Sequence, residues 1–320
     1  MKKCYLCIIL CLCLVSSTLV GCGSRVESWL VTCPWAPSGV AAVVSNKVAE
    51  LSSQYSDNIT LVADAIKGDA NTVNMWVNTT MENDCELVFA GEGLFAITNT
   101  LSPEKLEFTY DDFVFVENLY SSIFVMCASK ELDVDSIASL EKYLKGGGKA
   151  RVATNGATGS EAFLAAALFG AMGYSDQMEL VSFSSAQEAA DAVKRKEADF
   201  AISHQSQILS EYEKKTVNMV CAFSEDDIQQ GSFKGLEGVG KHGYPYFMNR
   251  CFIMARAGTE ASKVDEIKEL YRQILNSPDI TSWLNNEMLL EVDTMTEADV
   301  QAHITNVTNI VNQYKDIVVK

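Results

Sequence analysis

Apolar and polar positions along the chain alternate between two periods. Residues 29–33 (Trp-Leu-Val-Thr-Cys) form a short apolar run of strand length. Val40, Val43, Val44, Val48 and Leu51 then recur at helical spacing, and strand-like runs follow at 59–62 and 87–90. Strand and helix in alternation is the signature of βαβ units and a largely parallel sheet. The pattern restarts with strand-like runs at 123–128, 151–153, 178–183 and 200–203, interleaved with helical periodicity over about 161–172 and 186–195. Two further apolar stripes close the chain: Val264, Ile267, Leu270, Tyr271 and Ile274, then Val300, Ile304, Val307, Ile310, Val311, Tyr314 and Ile317. Two α/β units follow, which agrees with 320 residues, more than the roughly 100–200 of a single domain. No long linker separates them. Ligands of open α/β sheets sit beyond the carboxyl ends of strands, so a cleft between two lobes is the expected site.

The amino terminus follows a different pattern. Lys2 and Lys3 precede twelve apolar residues at 4–15, too few to span a bilayer as a helix of about 20 residues, and Ser16, Ser17 and Thr18 lead into Leu19-Val20-Gly21-Cys22. This is a secretory signal whose end resembles the bacterial lipobox, in which Cys22 receives the lipid and becomes the first mature residue. The protein is thus expected outside the cytoplasmic membrane, attached through lipid only. Cys33, Cys85, Cys127, Cys221 and Cys251 remain in the mature chain. Five is odd and no C-x-x-C spacing occurs, so a disulfide framework is possible but not implied.

Charge narrows the function. Loss of residues 1–21 removes two lysines and no acid, so 25 basic residues become 23 against 42 acidic, and a net charge of −17 becomes −19. The long-range field has the wrong sign for nucleic acid or an anionic lipid surface, and an anionic ligand must be held by local donors. No metal or cofactor is expected. His204, His242 and His303 form no H-E-x-x-H set and no G-x-S-x-G elbow is present, so the chain does not read as an enzyme. Of the three histidines, only His204 is placed near a cleft; His303, on an amphipathic stripe, is expected to be exposed.

Two strand-to-helix junctions carry the candidate chemistry. Pro34-Trp35-Ala36-Pro37-Ser38-Gly39 opens the first helix, whose free N–H groups can cradle an anion beside an apolar wall from Trp35. Thr154-Asn155-Gly156-Ala157-Thr158-Gly159-Ser160-Glu161 plays the same part in the second unit, although Thr158 and Glu161 also fit a T-x-x-E capping box. Ser185 and Glu188 fit another.

The order and spacing of these loops resemble the solute receptors of tripartite tricarboxylate transporters, the TctC-like or Bug family. The matching stretches are residues 34–39, 68–74, 90–93 and 154–164, with Gly243-Tyr244-Pro245-Tyr246 and Ala257-Gly258-Thr259 further on. The resemblance implies an α/β, two-lobed fold of the type II periplasmic-binding-protein kind. Residues 1–21 are then the signal peptide, 22–125 and 245–320 lobe 1, and 126–244 lobe 2. It also implies a small organic acid such as a di- or tricarboxylate, held by Trp35, Pro37, Ser38, Gly39, Gly91, Glu92, Asn155, Thr158, Gly159, Ser160, Ser184, Ser185, Ser203 and Arg250, and membrane permease subunits as partners. A sensor feeding a signalling partner, or a surface adhesin, is the alternative use of the same scaffold.

Departures from the family pattern are specific. Ser38, Asn71 and Asn74 stand where glycines are usual, Phe163 replaces a histidine, and Ser203 replaces an acid. Glu92 brings a carboxylate to the cleft, which repels an anion unless it faces solvent or meets an ammonium group. Arg250 either grips a carboxylate through paired hydrogen bonds or forms a structural ion pair.

Overall fold

The computed structural model describes residues 26–318, so the signal peptide and Cys22 lie outside the described residues. Two five-stranded sheets organise the chain. The first has the order β2-β1-β3-β10-β4, from β1 (Glu27–Cys33), β2 (Ile59–Ala65), β3 (Glu86–Ala90), β4 (Phe113–Ser122) and β10 (Asn249–Arg256). The second repeats the arrangement as β7-β6-β8-β5-β9, from β5 (Phe124–Ser129), β6 (Ala150–Asn155), β7 (Met178–Phe183), β8 (Phe200–His204) and β9 (Val217–Ala222). In each sheet two parallel pairings are followed by two antiparallel ones, made by a single reversed strand, β10 or β5, where the sequence pattern anticipates largely parallel pairing.

The antiparallel strands come from the crossings. The chain passes from β4 through Ile123 into β5, and returns from β9 to β10. β4 does not announce itself because Glu117 and Asn118, both buried, interrupt its apolar run. Each has a partner: Arg272 Nε donates to Glu117 at 2.6 Å, and Asn118 Nδ2 donates to Asp293 at 2.5 Å.

Helices α1 (Val40–Tyr55) and α2 (Ala70–Thr79) follow β1 and β2, α3 (Ile137–Lys145) follows β5, and α4 (Ser160–Ala171) follows β6. Next come α5 (Ala186–Lys194) after β7 and α6 (Gln205–Glu213) after β8, and finally α7 (Ala261–Leu275), α8 (Pro278–Trp283) and α9 (Glu297–Val318). α4 is apolar around most of its circumference and is correspondingly covered on all sides, with residues 160–169 buried. The sequence places all of 245–320 in lobe 1. In the structure α7 packs in the first core, whereas Val307 and Val311 of α9 share a core with Phe163 and Val152 of the second lobe, and Val300 shares one with Trp76 and Phe252 of the first. The last helix therefore bridges both lobes.

The five described cysteines are all free, four of them buried. Burial pushes the Cys33 and Cys127 thiols up to about 12, which leaves them small hydrophobes. Among the described residues no helix is long and apolar enough to cross a membrane, and no three His, Cys, Asp or Glu side chains gather as a metal site.

Candidate functional site

A cavity of about 150 Å³ lies where the two sheets face each other. Its walls come from the loop before α1, from Asp69 and Ala70 at the start of α2, from Gly91–Leu94 after β3, and from Tyr120 and Phe124 at the first crossing. The second lobe adds residues 158–161, Ser185, His204 and Gln207, and the return crossing adds Asn249 to Cys251. Of the residues expected from sequence, Trp35, Gly39, Gly91, Glu92, Asn155, Thr158, Gly159, Ser160, Ser185 and Arg250 border this cavity. Pro37 and Ser38 do not; they are exposed on the outer side of their loop. Ser184 is also exposed, its hydroxyl and N–H both given to Glu188. Ser203 is buried behind the wall, donating to Gln207 Oε1 at 2.9 Å.

Two helices present unpaired N-termini to the cavity from opposite lobes. Gly39 is the N-cap of α1 and Gly159 that of α4, and neither helix has a side-chain cap. The T-x-x-E box expected at Thr158 does not form, because the helix begins one residue later at Gly159, whose φ of 107° suits glycine. Apart from the Glu161 N–H, which meets its own carboxylate, the first N–H groups of both helices are thereby left for a ligand, with the positive end of each helix dipole behind them. α5, in contrast, is closed by its own chain, since Ser185 Oγ accepts from the Glu188 N–H at 3.2 Å. Gly91 supplies close approach rather than a turn: a Cβ there would stand 2.5 Å from the Arg250 carbonyl oxygen.

Glu92 does not face an incoming anion with an open carboxylate. It is fully buried and accepts hydrogen bonds from Asn249 Nδ2 at 2.7 Å, the Arg250 N–H at 3.0 Å and Ser160 Oγ at 3.1 Å. His303 Nε2 stands 3.6 Å away, at ion-pair rather than hydrogen-bond distance. Burial pushes this carboxyl up, but His303 and the hydrogen-bond donors outweigh it and hold the group below its ordinary value. His303 is therefore not the exposed residue its helical stripe suggests: its side chain is 8% exposed and packs edge-on against Phe252. The network continues through the crossings, where Ser122 Oγ lies 2.8 Å from His204 Nδ1 and donates to Asn249 Oδ1 at 3.2 Å. Burial lowers His204 to about 4, so a neutral imidazole lines the cavity.

Of the two roles open to Arg250, the geometry draws the ion pair. Its Nη2 is 3.1 Å from Asp293 Oδ2 and its Nη1 is 3.2 Å from Met295 Sδ. The guanidinium is thus engaged away from a ligand although the residue borders the cavity. Two departures from the family pattern are also structural. Asn74 donates to the Lys105 carbonyl at 2.9 Å and accepts from the Glu107 N–H at 2.8 Å, and Phe163 lies in the core against Phe247.

Sequence reasoning passed over Asp69, Tyr120, Phe124, Gln207 and Asn249, and treated Glu161 only as a cap. Asp69 lies inside the 68–74 stretch that carries the resemblance, and its acidity is the available signal. Tyr120 and Asn249 reach the site only through strand crossings that periodicity does not reveal. Glu161 is buried in the cavity wall, and desolvation raises its carboxyl to about 7; a hydrogen bond from its own backbone N–H opposes the rise, and the charges of Asp69 and Glu92 add to it. Asp69 is likewise raised by desolvation of its carboxyl in the cleft, opposed by Lys67. Lys67 Nζ reaches across the cleft to the Ser184 carbonyl at 2.7 Å and, with the Ser160–Glu92 bond, ties the lobes together.

No family model and no curated protein matches the chain. Solved structures do. The periplasmic binding protein BugD is 16% identical, with 92% of this chain and 98% of that one covered and a TM-score of 0.78. MatC from Rhodopseudomonas palustris, with bound malate, is 15% identical over 91% and 98%, TM-score 0.76. Rpa4515 from R. palustris, with adipate, is 14% identical over 93% and 98%, TM-score 0.80. The likeness runs the length of the chain and defines its fold: an α/β, two-lobed periplasmic-binding-protein architecture. BugD, one of these neighbours, carries the name of the Bug family that the loop order resembles.

Proposed function

We propose that the protein is an extracytoplasmic solute receptor that captures a small organic carboxylate between its lobes and delivers it to a membrane permease of the tripartite tricarboxylate type. The single observation that carries the reading is the pair of uncapped helix N-termini at Gly39 and Gly159, aimed from opposite lobes at one cavity. Neutral backbone donors suit an anion inside a chain of net charge −17, because they bind it without adding a countercharge that the many acids would claim first. Trp35, Tyr120 and Phe124 supply apolar walls for the carbon skeleton. The malate and adipate of the solved neighbours support the same ligand class. Binding draws on both lobes, so it favours the closed arrangement, and the permease reads that arrangement. Cys22, in its lipobox, carries the lipid that keeps the receptor at the membrane surface.

The test is a thermal-shift screen of the mature chain against mono-, di- and tricarboxylates. A ligand at one hundred times its dissociation constant adds about 2.7 kcal/mol, which raises the midpoint by several degrees. A flat response across all carboxylates would remove this reading. Replacement of Cys22 by alanine is expected to leave the protein in the soluble fraction; retention at the membrane would refute the lipid anchor.

A further inference from the structure

The start of the chain and the cleft lie at opposite ends of the first lobe. The cavity is bordered by the loops that follow β1 and β3, beyond the carboxyl ends of those strands. Their amino ends form the base of the lobe, and the chain enters the fold there. At the starts of β1 and β2 the Glu27 N–H donates to the Asn58 carbonyl at 2.7 Å, and just before β3 the Cys85 carbonyl accepts from the Leu30 N–H at 3.0 Å. The reversed strand β10 ends at the same base, where the Ala257 N–H donates to the Asp112 carbonyl at 2.9 Å and the Glu260 N–H donates to Asn83 Oδ1 at 2.9 Å. Val26 and Met81, 52% and 73% exposed, are the apolar side chains presented there. On the same base Asp57, Glu82, Asp84, Asp111 and Glu260 are exposed, while Lys263 and Arg256 are paired with Glu27 and Asp112. The base is thus acidic, and attraction to anionic headgroups does not hold it in place.

We infer that the base of lobe 1 is the surface that faces the lipid headgroups, held there by the shortness of its tether, with the cleft on the side away from the bilayer. This rests on the Cys22 lipid anchor proposed above. Val26 stands four residues after Cys22, and four residues reach at most about 14 Å however they are arranged. A lobe of this size has a radius of about 20 Å, so laying it on its flank would lift Val26 beyond that reach. With the base down, the chain enters the fold next to the bilayer and the reach suffices. β1 then rises from the membrane, and its seven residues span about 23 Å, which sets the height of the cavity above the headgroups. Solute therefore enters from the outer side, and a partner that reads closure of the lobes does so at that height rather than at the bilayer surface.

The experiment places a fluorophore at either end of the lipidated mature chain, bound to phosphatidylcholine vesicles that contain a headgroup spin-labelled lipid as quencher. Met81→Cys marks the base of lobe 1, and Lys149→Cys marks the exposed amino end of β6 in the second lobe. Both are made with Cys85→Ser, because the other described cysteines are buried, and each is checked for a cooperative melt. Quenching is expected to be severalfold stronger at position 81 than at position 149. About twenty Gly/Ser residues inserted between Ser24 and Arg25 have a root-mean-square reach of about 25 Å and are expected to erase that difference. Equal quenching at the two positions with the native tether, or stronger quenching at position 149, would overturn the orientation while leaving the anchor intact, and a difference unchanged by the insertion would overturn the tether as its cause. The anchor is read separately by flotation, in which the native chain is expected to rise with the vesicles and the Cys22→Ala chain to stay behind. A native chain that stays behind would sink the anchor and the orientation together.

Discussion

Glu92 and Glu161 line the same cavity, are both almost fully buried, and behave in opposite ways. Glu92 collects Asn249, the Arg250 N–H, Ser160 and His303, and is held below its ordinary value. Glu161 has only its own backbone N–H as a donor and rises to about 7. Burial raises the pKa of both; what differs is the supply of donors. Four segments converge on Glu92, from β3, α4, β10 and α9, because it sits where the crossings and the final helix meet. Glu161 lines the cavity from the first turn of α4, where only its own backbone N–H donates to it. One acid is tied to three distant segments and the other only to its own backbone, and sequence alone assigns them the same chemistry.

The largest effect is expected at the partnered acid. Glu92→Ala removes the acceptor of several buried donors, so stability should fall by about 3–5 kcal/mol, read by denaturant titration. A change under 1 kcal/mol would mean that the network does not hold the crossings.

At Glu161 the sign reverses. The Glu161 carboxyl titrates near 7 in the folded chain and near 4.5 when unfolded, so the folded state is penalised increasingly as pH rises from 4.5 through 7. Glu161→Gln should therefore stabilise by on the order of 3 kcal/mol at pH 8 and by almost nothing at pH 4, visible as melting curves that separate with pH. Parallel curves would show that donors offset the burial of Glu161. Glu92 should give the opposite dependence, its contribution being present above about pH 4.5 and lost below it.

Smaller effects test the frame around the two acids. Gly159→Ala places a Cβ at φ 107° and should cost about 1–2 kcal/mol while weakening carboxylate binding through a displaced helix start. Unchanged affinity would remove the α4 N-terminus from the site. Lys67→Ala loses an exposed link between the lobes and should change stability by only about 0.2–1 kcal/mol, with a faster ligand off-rate in stopped-flow measurements. An unaltered off-rate would show that this contact does not gate release.

How much was legible in the sequence depended on distance along the chain. β7 falls on the strand-like run at 178–183, and α5 and α9 follow their apolar stripes, because side chains three or four residues apart share a helix face whatever lies beyond. The loops 34–39 and 154–161 were marked for the same local reason. Ser38, Pro37, Ser184 and Ser203 share those loops or strand ends, and whether each faces cavity, solvent or core is set by a half-turn of backbone that residue type does not encode. His303 shows the limit most clearly. Its stripe predicts exposure, but α9 lies across both lobes, and that puts the imidazole beside a carboxylate 211 positions earlier in the chain.

The sequence by itself determined the two α/β units, the acidic charge that requires neutral donors for an anion, and the loops from which those donors come. Each is a property of composition or of neighbours within a few residues. The tertiary structure alone decided that β4, β5, β9 and β10 pair antiparallel at the crossings, that Arg250 meets Asp293, and that α9 closes the second lobe. It also decided which of two glutamates is satisfied. A carboxyl group's protonation depends on donors and water within a few ångströms, and folding gathers those donors from segments that the chain keeps far apart.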